Sequence, residues 1–273
     1  MTAASPAPWS RVQRGFLWLG LAQLAVAAAH VAVAVAQGGP LEGPVAIRKP
    51  ILFAQSFGLV SLSFAFIFHD LGLPRRAVAP LGWLSIALSA LEVGLACLQY
   101  WRGVPSHFNY TTLLDGVIAG TMTAGAIAFA LFLIGVTVLA WRRDLAQEPA
   151  ERRSFLYGVR LSLPLALFGL ALVGSVMLLN GGHAWHGWRF LRASIEGFRL
   201  GQYNGQAAGL AGGGNLMAVH ALGTHALQVL PLAGWWAGRS GAPEGRWRPR
   251  VLWAAAVYAA LMVLATAHAL SIG

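Results

Sequence analysis

The chain has 273 residues, of which 57% are hydrophobic and only 10% charged, and its formal net charge is +10. A water-soluble protein of this length needs about 25% charged residues to cover its surface, so the composition excludes a soluble globule and makes the bilayer the solvent for the apolar groups. The positive charge lies almost wholly on arginines in short loops between apolar runs, with Lys49 the one lysine. That is where topology signals belong, and it excludes a nucleic-acid-binding surface.

The apolar runs are continuous rather than alternating. This calls for helices and not barrel strands, because open sheet edges cannot sit in lipid. A spanning helix needs about 20 apolar residues. Seven runs qualify, over residues 15–37, 51–69, 80–101, 113–141, 157–180, 215–236 and 251–272. The expected fold is all-α: a polytopic membrane bundle of seven transmembrane helices. Residues 1–14 form a cytoplasmic segment, and 15–273 form one transmembrane domain. Twelve arginines (11, 14, 75, 76, 142, 143, 152, 153, 239, 246, 248 and 250) fall on one side, against six basic residues (48, 49, 102, 189, 192 and 199) on the other. The excess predicts a cytoplasmic N-terminus and an external C-terminus in a bacterial inner membrane.

In the first run, Gln23, His30 and Gln37 recur every seven residues and share one helix face, with His30 about 10 Å below the outer end. Ala34, Val35 and Ala36 also resemble a signal-peptidase site, but the run is long for a signal peptide. Arg48, Lys49 and Pro50 open the second helix where positive charge is disfavoured. Proline suits a first turn, and a helix N-terminus with two cations makes an anion site. The anion is a lipid phosphate, a cofactor carboxylate such as a haem propionate, or an anionic substrate.

The third run carries Ser85, Ser89, Glu92 and Gln99 on one face, and Glu92 is the one carboxylate deep in a span. It serves as a proton relay or ligand, or else as an interhelical hydrogen bond. Cys97 is the single cysteine, so neither an intrachain disulfide nor a cysteine metal cluster forms. Thr112 and Asp115 read as a cap opening the fourth helix, with a site role for Asp115 as the alternative. Pro164 and Pro231 fall inside the fifth and sixth runs, where kinks are expected.

Between those runs lies the longest loop. Trp188, Leu191, Ile195 and Phe198 repeat at helical spacing opposite Arg189, Arg192, Glu196 and Arg199. An amphipathic helix over about 184–200 is therefore expected flat on the outer interface, as an anchor or as a lid. His183 and His186 suit an interfacial turn or a metal site. The sixth run carries His220, Thr224, His225 and Gln228. His220 and His225 lie about 140° apart around a helix, which argues against a helix-borne pair on one metal. Gln228 is placed to fix the His225 tautomer. His268 sits near the outer end of the seventh helix, and His107 in the loop after the third.

Seven of the eight histidines thus fall on the outer side. An imidazole in a membrane is expensive, so a shared polar pocket is expected: Glu92 and His225 in a deep catalytic tier, and His30, His220, His225, His268 and His107 as the metal-ligand pool. Arg48, Lys49 and Gln228 would hold a cofactor. Three functions follow. The first is a membrane redox protein binding haem b or a transition metal, with a quinone or small molecule as ligand. The second is a proton-coupled transporter using Glu92 and His225. The third is a non-catalytic membrane subunit or sensor beside partner subunits. The lipid bilayer is a partner in each, and nucleic acid in none. No seventh-helix lysine is present for retinal, no phosphate-binding loop, no CxxC pair and no set of HxxHH boxes.

The segments 48–54 (RKPILFA), 103–109 (GVPSHFN) and 225–231 (HALQVLP) resemble recurring segments of a group of bacterial multi-pass inner-membrane proteins of uncharacterised function. The resemblance covers most of residues 48–236. It implies the same topology and draws attention to the same residues, and it implies no activity.

Overall fold

The computed structural model describes residues 9–39, 41, 45–71, 75–186, 216–239 and 241–271, with backbone alone at 75–78 and 177–186. Seven helices follow in order: α1 (Arg11–Gln37), α2 (Arg48–Leu71), α3 (Arg75–Trp101), α4 (Leu113–Arg142), α5 (Ala150–His186), α6 (Met217–Gly238) and α7 (Glu244–Ser271). The described residues contain no strand. Six of the helices are long and apolar enough to cross a membrane. α6 is the exception, because His220, His225, Gln228 and Pro231 dilute its apolar run.

Helix ends depart from the hydropathy limits where polar chemistry extends a helix beyond its apolar run. α1 begins at Arg11 rather than at 15, because Ser10 and Gln13 form a reciprocal capping box. It stops at Gly38, which takes φ 61° and donates its N–H to Ala34 O at 3.1 Å. α7 begins at Glu244, well before 251, and its polar first turns bury Trp247. α5 begins at Ala150 and its backbone stays helical through His186. Residues 184–186 therefore continue α5, and the rest of the expected interfacial helix lies outside the described residues. Pro164 and Pro231 both sit inside continuous helices.

Packing is closest between α5 and α6 and between α1 and α2. Small residues allow it, because in lipid a helix pair gains chiefly from van der Waals contact. A Cβ added at Gly223 of α6 would lie 2.8 Å from the Gly169 Cα of α5, and one at Gly158 would strike the Leu230 carbonyl. Gly20 and Gly58 play the same part where α1 crosses α2. The core of one half of the bundle is aromatic. Phe16, Phe64, Phe68, Phe129 and Phe132 interlock across α1, α2 and α4, with Phe64 and Phe132 edge to face at 5.1 Å. This is the half nearer the arginine-rich 142–153 loop. Lys49, Glu92, Gln99, Ser106, Asn109 and Asp115 are buried toward the opposite end.

Candidate solute-binding site

The third-helix stripe is buried throughout, with Ser85, Ser89, Glu92 and Gln99 between 0% and 6% exposed. Its members do different work. Gln23 of α1 donates through Nε2 to Ser89 Oγ at 2.9 Å and accepts from Ser61 Oγ of α2 at 3.1 Å, so three helices are tied by one amide. Gln99 donates to Asp115 Oδ1 at 3.0 Å, and Arg102 pairs with the same oxygen at 2.7 Å. Asp115 also accepts from Thr112 Oγ1 at 2.7 Å, while its own N–H donates to that hydroxyl at 3.1 Å. It is therefore both the expected helix cap and the centre of a latch between the end of α3 and the start of α4.

The segment between those helices folds inward. α3 ends in a Schellman arrangement, in which Gly103 has φ 69° and Val104 N–H donates to Gln99 O at 3.1 Å. Phe108 follows with φ 54°, a left-handed conformation that a bulky residue keeps only when its surroundings enforce it. Ser106, Phe108 and Asn109 are buried. Asn109 Oδ1 receives Thr111 Oγ1 at 2.7 Å, and His107 Nδ1 lies 3.0 Å from Ser106 Oγ. The half-buried His107 ring stands edge-on to Phe53 of α2, with centroids 5.3 Å apart. Burial and the nearby Lys49 ammonium hold this imidazole well below its usual range, so it is neutral at pH 7.

Beneath this segment lie two buried ionisable side chains without hydrogen-bond partners at Nζ and Oε1. Lys49, in the first turn of α2, is 8% exposed; Glu92 is 6% exposed. Neither Lys49 Nζ nor Glu92 Oε1 has a hydrogen-bond partner among the described residues. Lys49 Nζ stands 5.9 Å over the Phe53 ring. Phe53, beneath Lys49, packs on the cluster of Ala96 and Met122, which lie one turn from Glu92 on α3 and from Gly125 on α4. Glu92 Oε1 presses on α4 where Gly125 leaves room, and a Cβ there would come within 2.6 Å of the oxygen.

The other expected site residues are placed apart from this pair. His30 is held at both nitrogens: Nδ1 lies 2.8 Å from Val26 O, and Nε2 accepts the Trp101 indole N–H at 3.1 Å. No lone pair is left for a metal. His225 Nδ1 meets Gln228 Oε1 at 3.1 Å, and Gln228 Nε2 donates to Ser63 Oγ of α2 at 2.7 Å. Gln228 thus fixes the His225 ring, as its spacing suggested, and ties α6 to α2 rather than holding a cofactor.

Glu92 and His225 have separate neighbours: Glu92 Oε1 lies against Gly125 of α4, while His225 is engaged by Gln228. His220 lies half-buried beside the Gly169 backbone of α5, with Nδ1 unpartnered. His268 is exposed in the last turn of α7. The side chains of His183 and His186 lie outside the described set. The expected gathering of imidazoles is therefore absent among the described residues, and no group of three or more His, Cys, Asp or Glu there is placed to hold a metal ion.

That Lys49 and Glu92 are both buried and unpartnered escaped the sequence reading, which matched Glu92 with an imidazole at equal depth. The available signal was Lys49 itself, the single lysine, at a helix start on the side where cations are disfavoured. No family model, curated protein or solved structure matches the chain.

Proposed function

We propose that the protein is a seven-span bacterial inner-membrane protein, N-terminus inside and C-terminus outside, that binds a small polar solute between Lys49 and Glu92 and works as a proton-coupled carrier. The observation that carries this reading is the pair of orphaned polar atoms, Lys49 Nζ and Glu92 Oε1, each on a side chain more than nine-tenths buried. Removing a charge from water costs several kcal/mol, and only close pairing with full hydrogen bonding offsets it. A carboxyl and an amine retained without either are explained by a solute that completes them. Glu92 is the group able to take up or release the coupled proton. The aromatic core in the arginine-rich half and the inward-folded segment after α3 support this reading.

The test is a thermal-shift and counterflow screen of small polar metabolites on the reconstituted protein. The expected result is stabilisation and exchange by a narrow set of solutes, both lost in Lys49→Met and Glu92→Gln. A screen with no stabilising solute, or variants indistinguishable from wild type, overturns the reading. A haem b or metal centre retains His220 Nδ1 as its one buried, unpartnered imidazole nitrogen among the described residues. A single proximal imidazole can hold a haem b, whereas a transition-metal site needs further ligands. A Soret band or stoichiometric metal in gently purified protein would restore that second reading.

A further inference from the structure

The segment that joins α3 to α4 is fastened by two imidazoles, one at its base and one at its tip. At the base, Trp101 closes α3, and its indole N–H donates to His30 Nε2 of α1 at 3.1 Å. An indole nitrogen only donates and a carbonyl oxygen only accepts. His30 therefore carries its hydrogen on Nδ1, toward Val26 O at 2.8 Å, and its lone pair on Nε2. This is the neutral ring. A second proton would turn Nε2 into a donor facing the Trp101 donor, on a residue that is buried. The lost bond and the buried charge would both work against the closed arrangement.

At the tip, the His107 ring stands edge-on to Phe53 of α2 at 5.3 Å, and the same Phe53 ring carries Lys49 Nζ at 5.9 Å. Burial and Lys49 keep this imidazole neutral as well. A proton on His107 would set a second cation beside a ring that already has one. Its Nδ1 lies 3.0 Å from the Ser106 hydroxyl, which carries no charge to offset it. Between the two fastenings Phe108 is buried in a left-handed conformation, φ 54°, and lifting the segment would relieve it.

Few other titratable or charged groups surround the two rings among the described residues. Tyr100 of α3 stands edge-on to His30 at 6.1 Å. Arg102 and Asp115 neutralise each other in the latch. Arg48 precedes Lys49 in the first turn of α2, and Cys97 and Glu92 lie one turn or more below Trp101 on α3.

We propose that residues 102–112 form an acid-released strap over the start of α2, held shut by neutral His30 and His107 and opened when both take up protons. The inference stands on these hydrogen bonds and rings, and it holds whether or not a solute binds at Lys49 and Glu92. On the proposed outer side it ties exposure of Lys49 to external pH, a use to which histidine is suited.

Hydrogen–deuterium exchange of the full-length protein in nanodiscs at pH 7.5 and 5.5 tests this. Protection is taken relative to unstructured chain at the same pH, which removes the pH dependence of the exchange chemistry itself. Opening that takes up one proton grows by up to about tenfold per pH unit, and opening that takes up two by up to about a hundredfold. Protection of 103–111 should therefore fall by at least about tenfold between the two pH values, while that of the middles of α3 and α4 holds. His30→Gln and His107→Gln should each lessen the fall, and the double variant should abolish it. Thermal unfolding of each variant checks that the fold persists. Should the double variant fail to fold, Trp101→Phe decides: it removes the donor that His30 accepts, and the fall should shrink. A fall absent from wild type, spread equally over α3 and α4, or undiminished in the double variant or in Trp101→Phe overturns the strap. A fall abolished by one histidine replacement and untouched by the other overturns the two-point fastening.

Discussion

Lys49 is one lysine among nineteen basic residues, and it is the cation the bundle buries. Arg102, Arg143, Arg152, Arg153 and Arg160 reach carboxylates or carbonyl oxygens with their guanidinium groups. Arg160, for example, donates to Ala140 O at 2.9 Å and closes the end of α4. Lys49 has no such outlet: its Nζ is without a hydrogen-bond partner among the described residues and stands 5.9 Å over the Phe53 ring.

His107 gives a pH prediction. Its folded imidazole binds a proton less readily than the unfolded one, so its contribution is complete above about pH 6.5 and drains as pH falls below that value. Wild-type protein should lose up to about 1.4 kcal/mol per pH unit on acidification below that point. His107→Gln should show a shallower slope, and thermal unfolding at pH 7.5 and 5.5 in both proteins reads the difference. At the neighbouring latch, Asp115 serves Arg102, Gln99 and Thr112 together. Asp115→Ala strands three polar groups and Arg102→Ala strands one oxygen that has another donor. The aspartate change should lower the melting temperature further.

At the scale of elements, α6 is the helix whose composition suits lipid least and whose packing on α5 is tightest. Val219, Gly223, Ala226, Leu230 and Gly234 are buried at three- and four-residue steps. They form the seam that lies on α5, while His225 and Gln228 stand beside it and reach α2 through Ser63. Protein contact thus takes the place of lipid along this helix, which makes its two imidazoles and its proline tolerable. A side chain at the seam has nowhere to go. Gly169→Val should cost about 1–3 kcal/mol by overpacking. Gly174→Ala, on the same helix with nothing within 4 Å of the added carbon, should be neutral or gain up to about 1 kcal/mol. Unfolding of the two variants in mild detergent, titrated with SDS, separates these outcomes.

The whole molecule is polarised from end to end. At the arginine-rich end, Arg152 reaches Asp70 at 3.4 Å and Glu148 at 3.3 Å, and Arg153 reaches Glu244 at 3.0 Å, linking the end of α2, the start of α5 and the start of α7. Each such pair contributes little alone, about 0–1 kcal/mol. Together they join three helix ends, and the excess of arginine on this side is the basis of the proposed orientation. At the other end the polar groups turn inward. The proposed orientation is read by impermeant maleimide in a Cys97→Ala background. A cysteine at Tyr110 should label in intact cells, and one at Gln147 only after permeabilisation. The reverse pattern would invert the topology and place the Lys49–Glu92 site on the cytoplasmic side.

From residues alone came the helical class, the approximate runs, the buried faces of α1 and α3 and the Asp115 cap. These follow from local rules: hydropathy against bilayer thickness, periodicity and capping geometry, all of which act within a few turns of one helix. The stripe on α1 held at Gln23 and His30 and failed at Gln37, which is exposed once the helix runs out. Which polar group meets which was decided by tertiary structure. His30 went to Trp101, Gln228 to Ser63, and Glu92 to Gly125 of α4, because helix crossing and glycine-permitted approach set those distances and neither is written in any single segment. A sequence states how deep a group lies along its own helix. The direction it faces around the bundle, and therefore its partner, emerges only when all the helices are packed.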